Sequence, residues 1–111
     1  MKQTFVTKYS DCPNKRSKSI MGSRWKSVII YVLRDHKLRF GQLQAIIGKI
    51  STKVLTQCLK ELEAEDIILR EEFVETPLRV EYSLKEKGVA LVPIIVALSE
   101  WEHKNYIVEM Q

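Results

Sequence analysis

The stretch Gly48-Lys49-Ile50-Ser51-Thr52-Lys53-Val54-Leu55-Thr56-Gln57-Cys58-Leu59-Lys60-Glu61-Leu62-Glu63 constrains this chain more than any other. Gly48 supplies the backbone freedom of a sharp turn, and Ser51 or Thr52 then caps a helix by accepting an otherwise unpaired backbone N–H. In that helix Leu55, Leu59 and Leu62 recur at helical spacing, with Val54 and Cys58 beside them, and define an inward face. Lys53, Thr56, Gln57 and Lys60 fall at i, i+3, i+4 and i+7, so they share the opposite stripe. Two cations, two neutral hydrogen-bonding side chains and no carboxylate occupy it. A solvated face ordinarily mixes acids with bases, so this composition suits an acceptor-rich polyanion. The helix reads as one that would enter a groove of duplex DNA.

Charge along the chain supports a localised polyanion-binding face. Residues 1–60 carry thirteen Lys or Arg against two acids, and residues 61–111 carry five against twelve, for a net charge of +4. The acidic half is expected to lie away from the stripe. At 111 residues the chain fits one domain that needs no disulfide staples. No apolar run approaches the roughly 20 residues that span a bilayer, and the N-terminus lacks the apolar core of a signal peptide. A cytoplasmic location follows as the expectation, with no membrane partner. Cys12 and Cys58 are too few for a disulfide framework or a zinc site, and His36 and His103 sit in no ligand-spaced cluster. No metal or cofactor is expected. No nucleophile–base pair, paired carboxylates or phosphate-binding glycine loop emerges either, so the chain does not read as an enzyme.

Taken in order, residues 1–11 read as a flexible arm. Cys12-Pro13 opens a helix, with Cys12 at its cap and Pro13 at the first helical position, where a missing N–H costs nothing. Lys15, Arg16 and Lys18 follow, then Ile20 and Met21 on an apolar side, then a break at Gly22-Ser23. Trp25, Val28, Ile29, Val32 and Leu33 match the template of a central core helix. Residues 39–47 form a compact helix with Leu43, Ile46 and Ile47 inward and Phe40 as an anchor. With the turn at Gly48 and the helix after it, this makes a helix-turn-helix. Residues 67–74 and 79–84 read as two strands around a tip at Glu75-Thr76-Pro77-Leu78. The second alternates, with Val80, Tyr82 and Leu84 on one face; the first does not, so its inward residues stay undecided. A hairpin in this place is a wing. Residues 86 to about 105 form a final helix with Leu91, Ile94, Ile95, Leu98 and Trp101 at helical spacing, interrupted by Pro93, which costs about 3 kcal/mol unless the helix adjusts. Val89, Val92, Val96 and Ala97 make it apolar around much of its circumference, more than one small core can bury. A homodimer built on this helix and the N-terminal one resolves the excess. The domain so defined spans residues 12–105, with a tail at 106–111.

These segments resemble the HxlR-type winged helix-turn-helix family of bacterial transcriptional regulators, relatives of the MarR group. The resemblance rests on Cys12-Pro13, Gly22-Ser23-Arg24-Trp25, Leu38-Arg39-Phe40-Gly41-Gln42-Leu43, Ile50 to Thr56, Leu59 to Glu63, Pro77 to Leu84, Lys87-Gly88 and Leu91-Val92-Pro93, in that order and spacing. It implies a mainly α fold with a small β-hairpin wing, dimerisation through the N- and C-terminal helices, and binding of an inverted repeat in duplex DNA. It also implies that the N-terminal cysteine, here Cys12, senses oxidants or electrophiles. Two positions depart from the family. Asp66 stands where Gly is usual, and Lys85 replaces a helix-capping Thr; both bear on local stability more than on function.

On that frame Gln57 would pair with adenine, Lys53 or Lys60 would reach guanine, and Thr56 would touch a thymine methyl. Ser51 and Thr52 at the helix N-terminus suit a phosphate. Lys49 in the turn, Arg39 before the first helix of the motif and Arg79 at the wing base are further backbone or minor-groove candidates. A helix N-terminus and three nearby cations would favour the reactive thiolate of Cys12; an inert thiol at a dimer interface is the alternative. Cys58 reads as buried, and Trp25 and Trp101 as core. Two other functions stay open: a winged-helix module that binds protein, and a regulator that senses a small molecule without thiol chemistry.

Overall fold

A computed structural model describes residues 24–107. The expected arm, the helix start at Cys12-Pro13, the Gly22-Ser23 break and most of the tail lie outside the described residues. Within them the chain runs α1 (Arg24–Val32), α2 (Phe40–Ile47), α3 (Thr52–Ala64), β1 (Ile68–Phe73), β2 (Arg79–Leu84) and α4 (Glu86–Glu102), closing with a π-type turn at His103–Ile107. This is the mainly α, winged helix-turn-helix order that the sequence implies.

The core is assembled from the helix-turn-helix and the base of the hairpin, with Leu91, Val92 and Ile95 of α4 packed partly buried against it. Ile29, Ile30 and Leu33 of the first helical segment meet Leu43 of α2 and Ile50 of the turn. Leu55, Cys58, Leu59 and Leu62 of α3, then Ile67, Ile68 and Tyr82, complete it. Each fully buried Leu or Ile stabilises the fold by about 1.5–3 kcal/mol. α1 turns a different face inward than its apolar pattern predicts. Its most buried positions are Lys26, Ile29, Ile30 and Leu33, whereas Trp25, Val28 and Val32 are only half-buried. The stripe is rotated by one residue because Lys26, only 1% exposed, finds carboxylates beneath it: its Nζ lies 2.8 Å from Glu61 and 3.8 Å from Glu65. A residue of that type is almost never buried without such pairing.

The link between α1 and α2 is also more than a link. The Leu38 N–H donates to the Tyr82 carbonyl at 3.0 Å and the Tyr82 N–H to the Leu38 carbonyl at 2.8 Å. A one-residue third strand therefore ties the helix-turn-helix to the wing. In the hairpin itself Ile68 opposes Leu84, Arg70 opposes Tyr82 and Glu72 opposes Val80. That register answers which side of β1 faces the core: only its first residue, Ile68, is buried, and the strand then leaves the domain. The tip carries Val74, Pro77 after a cis bond, and Leu78, all exposed.

α3 ends in a Schellman joint. The Ile67 N–H donates to the Leu62 carbonyl and the Asp66 N–H to the Glu63 carbonyl, both at 3.0 Å, with Asp66 in the left-handed region at φ 66°. The two departures from the family turn out to be partners, since Lys85 Nζ donates to Asp66 Oδ1. Lys85 cannot cap α4 with its side chain and instead fastens the start of α4 to the end of α3.

Four apolar expectations fail. Val54 and Ile46 are 37% and 59% exposed, while Leu55 and Leu43 on the same helices are fully buried. Trp101 is 51% exposed rather than core, and Ile94 is 57% exposed, because α4 outruns the domain it packs on. Only Gly88 of α4 is buried. Between α1 and α4 runs a groove of about 680 Å³, walled by Val28, Tyr31, Leu91, Ile94, Ile95 and Leu98, with Arg24, Glu100 and Glu102 also along it.

Candidate nucleic-acid interface

The α2–α3 turn is shaped by two devices. Gly48 takes φ 92° with no atom within 4 Å of where a Cβ would stand, so glycine is required there for backbone conformation rather than space. Its N–H donates to the Gln44 carbonyl at 2.9 Å. The Gln44 side-chain amide then bridges the turn, donating to the Ile50 carbonyl at 3.2 Å and to Thr52 Oγ1 at 3.1 Å. Sequence reasoning missed this clamp; a polar residue on the α2 face toward the turn was its only trace. Ser51, not Thr52, is the cap, and its Oγ accepts from the Val54 N–H at 3.1 Å. Both hydroxyls thus act as acceptors inside the turn, and each keeps an O–H that can donate to a further group. A helix N-terminus with two exposed hydroxyls has the chemistry of an anion site.

Along α3 the stripe is presented as expected. Lys53, Gln57 and Lys60 are exposed and Thr56 is half-buried, while Leu55, Leu59 and Leu62 hold the other side rigidly in the core. Lys49, Lys53 and Lys60 pair with no carboxylate among the described residues. Most other described cations are engaged: Lys37 with Glu71, Arg70 with Glu72, Lys85 with Asp66, and Arg34 with Asp35. Lys53 and Lys60 thus leave unpaired positive charge on the outer stripe of α3, with Lys49 in the turn before it.

The acidic half does not stay wholly away from it, which corrects the sequence expectation. Glu61 reaches the edge of the stripe, where its Oε2 accepts from Gln57 Nε2 at 2.7 Å. Arg39 caps α2 with an extended backbone, its N–H donating to Gln42 Oε1 at 2.9 Å, and its guanidinium end is exposed. Arg79 is less open. It stacks 4.0 Å over the Phe73 ring, donates to Glu75 at 2.9 Å and also to Glu81. That hydrogen bond from Arg79 holds the Glu75 carboxyl below its ordinary value. Cys58 is buried behind the stripe, and Cys12 lies outside the described residues.

A glycine turn, a capped helix with its cations outward and a hairpin beside it define a winged helix-turn-helix regulator. Residues 20–110 match the HxlR-like helix-turn-helix family, and the chain belongs to it. An uncharacterized HTH-type transcriptional regulator of Halalkalibacterium halodurans is 44% identical over 101 residues, covering 90% of this chain and 89% of its own. The reduced form of the transcriptional regulator YodB from Bacillus subtilis superposes with a TM-score of 0.71 at 40% identity, over 86% of this chain and 94% of that one. The redox regulator HypR in its reduced form gives a TM-score of 0.75 at 36% identity, over 89% and 99% of the two chains. The protein is a transcriptional regulator of the HxlR/MarR type.

Proposed function

We propose that the protein binds an inverted-repeat operator as a homodimer, each α3 lying in a major groove, and that Cys12 makes the binding responsive to oxidants or electrophiles. The observation that carries the DNA reading is the surface on which Lys49, Lys53 and Lys60 stand unpaired around exposed Gln57. Lys53, Thr56, Gln57 and Lys60 face base edges. Ser51 and Thr52 donate to one phosphate, and Lys49 and Arg39 flank it. Arg79 reaches the backbone by exchanging Glu75 for phosphate. The two recognition helices are then about one DNA turn apart, roughly 34 Å, or a multiple of it. Support for the dimer is the apolar surface α4 leaves exposed, and support for thiol chemistry is the likeness to the redox regulator HypR. The chain is read as a cytoplasmic, non-enzymatic regulator, in keeping with relatives that are transcriptional regulators.

Titration of promoter-length duplex at increasing salt tests this. Affinity should fall steeply, with a log–log slope near −0.9 per phosphate neutralised; no binding at low salt would overturn the reading and favour a protein-binding module. Mild thiol oxidation should change the affinity of the wild type and leave Cys12→Ser unchanged, and equal responses would remove the sensor role. The groove between α1 and α4 supports a second reading of the effector, a small apolar molecule held there. Ligand-dependent operator release that persists in Cys12→Ser would establish it.

A further inference from the structure

The geometry points to Lys26, a buried residue of α1 with no access to DNA, as a positioning residue for base recognition by Gln57. We propose that Lys26 and Glu61 together lock the Gln57 amide in the one orientation that matches adenine. The inference rests on the reading of α3 as the base-contacting helix. Lys26 Nζ sits 2.8 Å from Glu61 Oε1, and Gln57 Nε2 sits 2.7 Å from Glu61 Oε2. The two oxygens of one carboxylate thus connect the α1 ammonium beneath α3 to the exposed amide on its outer stripe. Side-chain exposure rises along the series: 1% for Lys26, 21% for Glu61, and Gln57 on the surface.

The chemistry of the chain makes it directional. A carboxylate paired with an ammonium is an acceptor only, so it draws the NH₂ side of the amide and repels its carbonyl. Gln57 is therefore held with one N–H on Glu61, and its second N–H and Oε1 meet no partner among the described residues. One donor beside one acceptor is the complement of adenine N7 and N6 in the major groove. An untethered glutamine would sample both amide orientations and several rotamers, and would have to give up that freedom on binding. Glu61 is itself a long, adaptable side chain; the ion pair with Lys26, which α1 and the core hold in place, gives it a fixed position. The stripe of Lys53, Thr56, Gln57 and Lys60 omits Glu61 and the apolar template of α1 omits Lys26, so neither is visible as a specificity element without the packing of α1 under α3.

The test compares full-length wild type, Gln57→Ala, Glu61→Gln and Lys26→Met by selection from random duplexes, then titration of the selected duplex and its single-base variants. Gln57→Ala should lose about tenfold in preference at one position of each half-site. Glu61→Gln and Lys26→Met should lose preference at that same position, and neither should add to the loss when combined with Gln57→Ala. These two variants change net charge in opposite directions, so a general electrostatic effect would shift their overall affinities oppositely rather than flatten one position in both. Intact preference in Glu61→Gln, or an additive loss in the double variant, would overturn the proposal. Unchanged preferences in Gln57→Ala would overturn it through its premise, while salt-sensitive DNA binding by the wild type would leave the broader reading standing. If Lys26→Met does not fold, the Gln57 side-chain amide resonances of DNA-free protein decide: they should move in Glu61→Gln, and constancy would refute the tether.

Discussion

Gly88 shows how little room the joint between recognition helix and wing contains. A Cβ built there would stand 2.6 Å from the Ile67 carbonyl oxygen and 3.1 Å from both Ile67 Cγ2 and Leu84 Cδ2. The nearest atom is backbone, and that same oxygen accepts the Lys85 N–H at 2.9 Å, so it cannot retreat without breaking a bond. Gly88→Ala is expected to lose about 1–3 kcal/mol by overpacking, although alanine is the better helix former. Urea denaturation reads the loss directly; an unchanged midpoint would mean that α4 shifts freely on the wing. Lys26 makes the complementary point at the same scale. A cation in a core stripe is tolerated because its partners are there, and those partners belong to a helix thirty-five residues further along the chain.

At the scale of elements, the molecule depends on how α3 ends. The Schellman joint reverses the chain into β1, and the Asp66–Lys85 pair ties that reversal to the start of α4. Asp66 holds its left-handed conformation without glycine's freedom, at a cost that its pairing with Lys85 offsets. The hydrogen bond and charge of Lys85 hold the Asp66 carboxyl below its ordinary value of 3.8. A carboxyl lowered in the folded state contributes stability that is full above its unfolded value and is lost as pH falls through the folded one. Stability should therefore drop below about pH 3.8, and Asp66→Asn should show a shallower acid slope, since asparagine keeps the left-handed turn but cannot titrate. Urea midpoints measured from pH 5 to pH 2 on both proteins check it. Identical slopes would mean that the pair forms equally in the unfolded chain.

The whole molecule is set by what its single domain leaves uncovered. α4 keeps Val89, Ile94 and Trp101 more than half exposed, along a helix that packs on the domain mainly near its first turns. On the proposed homodimer that surface belongs to the partner. Ile94→Glu, an exposed position whose change should not disturb the core, is expected to shift the protein to monomer in sedimentation. It should also weaken binding to a two-half-site duplex far more than to a single half-site, because only the former gains from linkage. A variant that remains dimeric would place the interface elsewhere.

Periodicity and turn chemistry made most of the fold legible: the inward leucines of α3, a cap at Ser51 or Thr52, the turn at Gly48 and the span of β2 follow from local rules that act within a few residues. The stripe of Lys53, Thr56, Gln57 and Lys60 was legible for the same reason, since a helix alone determines which residues share a face. The burial of Lys26, the Leu38–Tyr82 bridge, the Asp66–Lys85 pair and the exposure of Trp101 were not. Each depends on which elements come to lie against one another across tens of residues, and no local spacing encodes that. Sequence by itself therefore determined that α3 has an outer stripe of two cations and two neutral polar side chains with no carboxylate in it. Only the tertiary structure decided what stands behind that face, because packing alone brings an α1 ammonium to the carboxylate that holds Gln57.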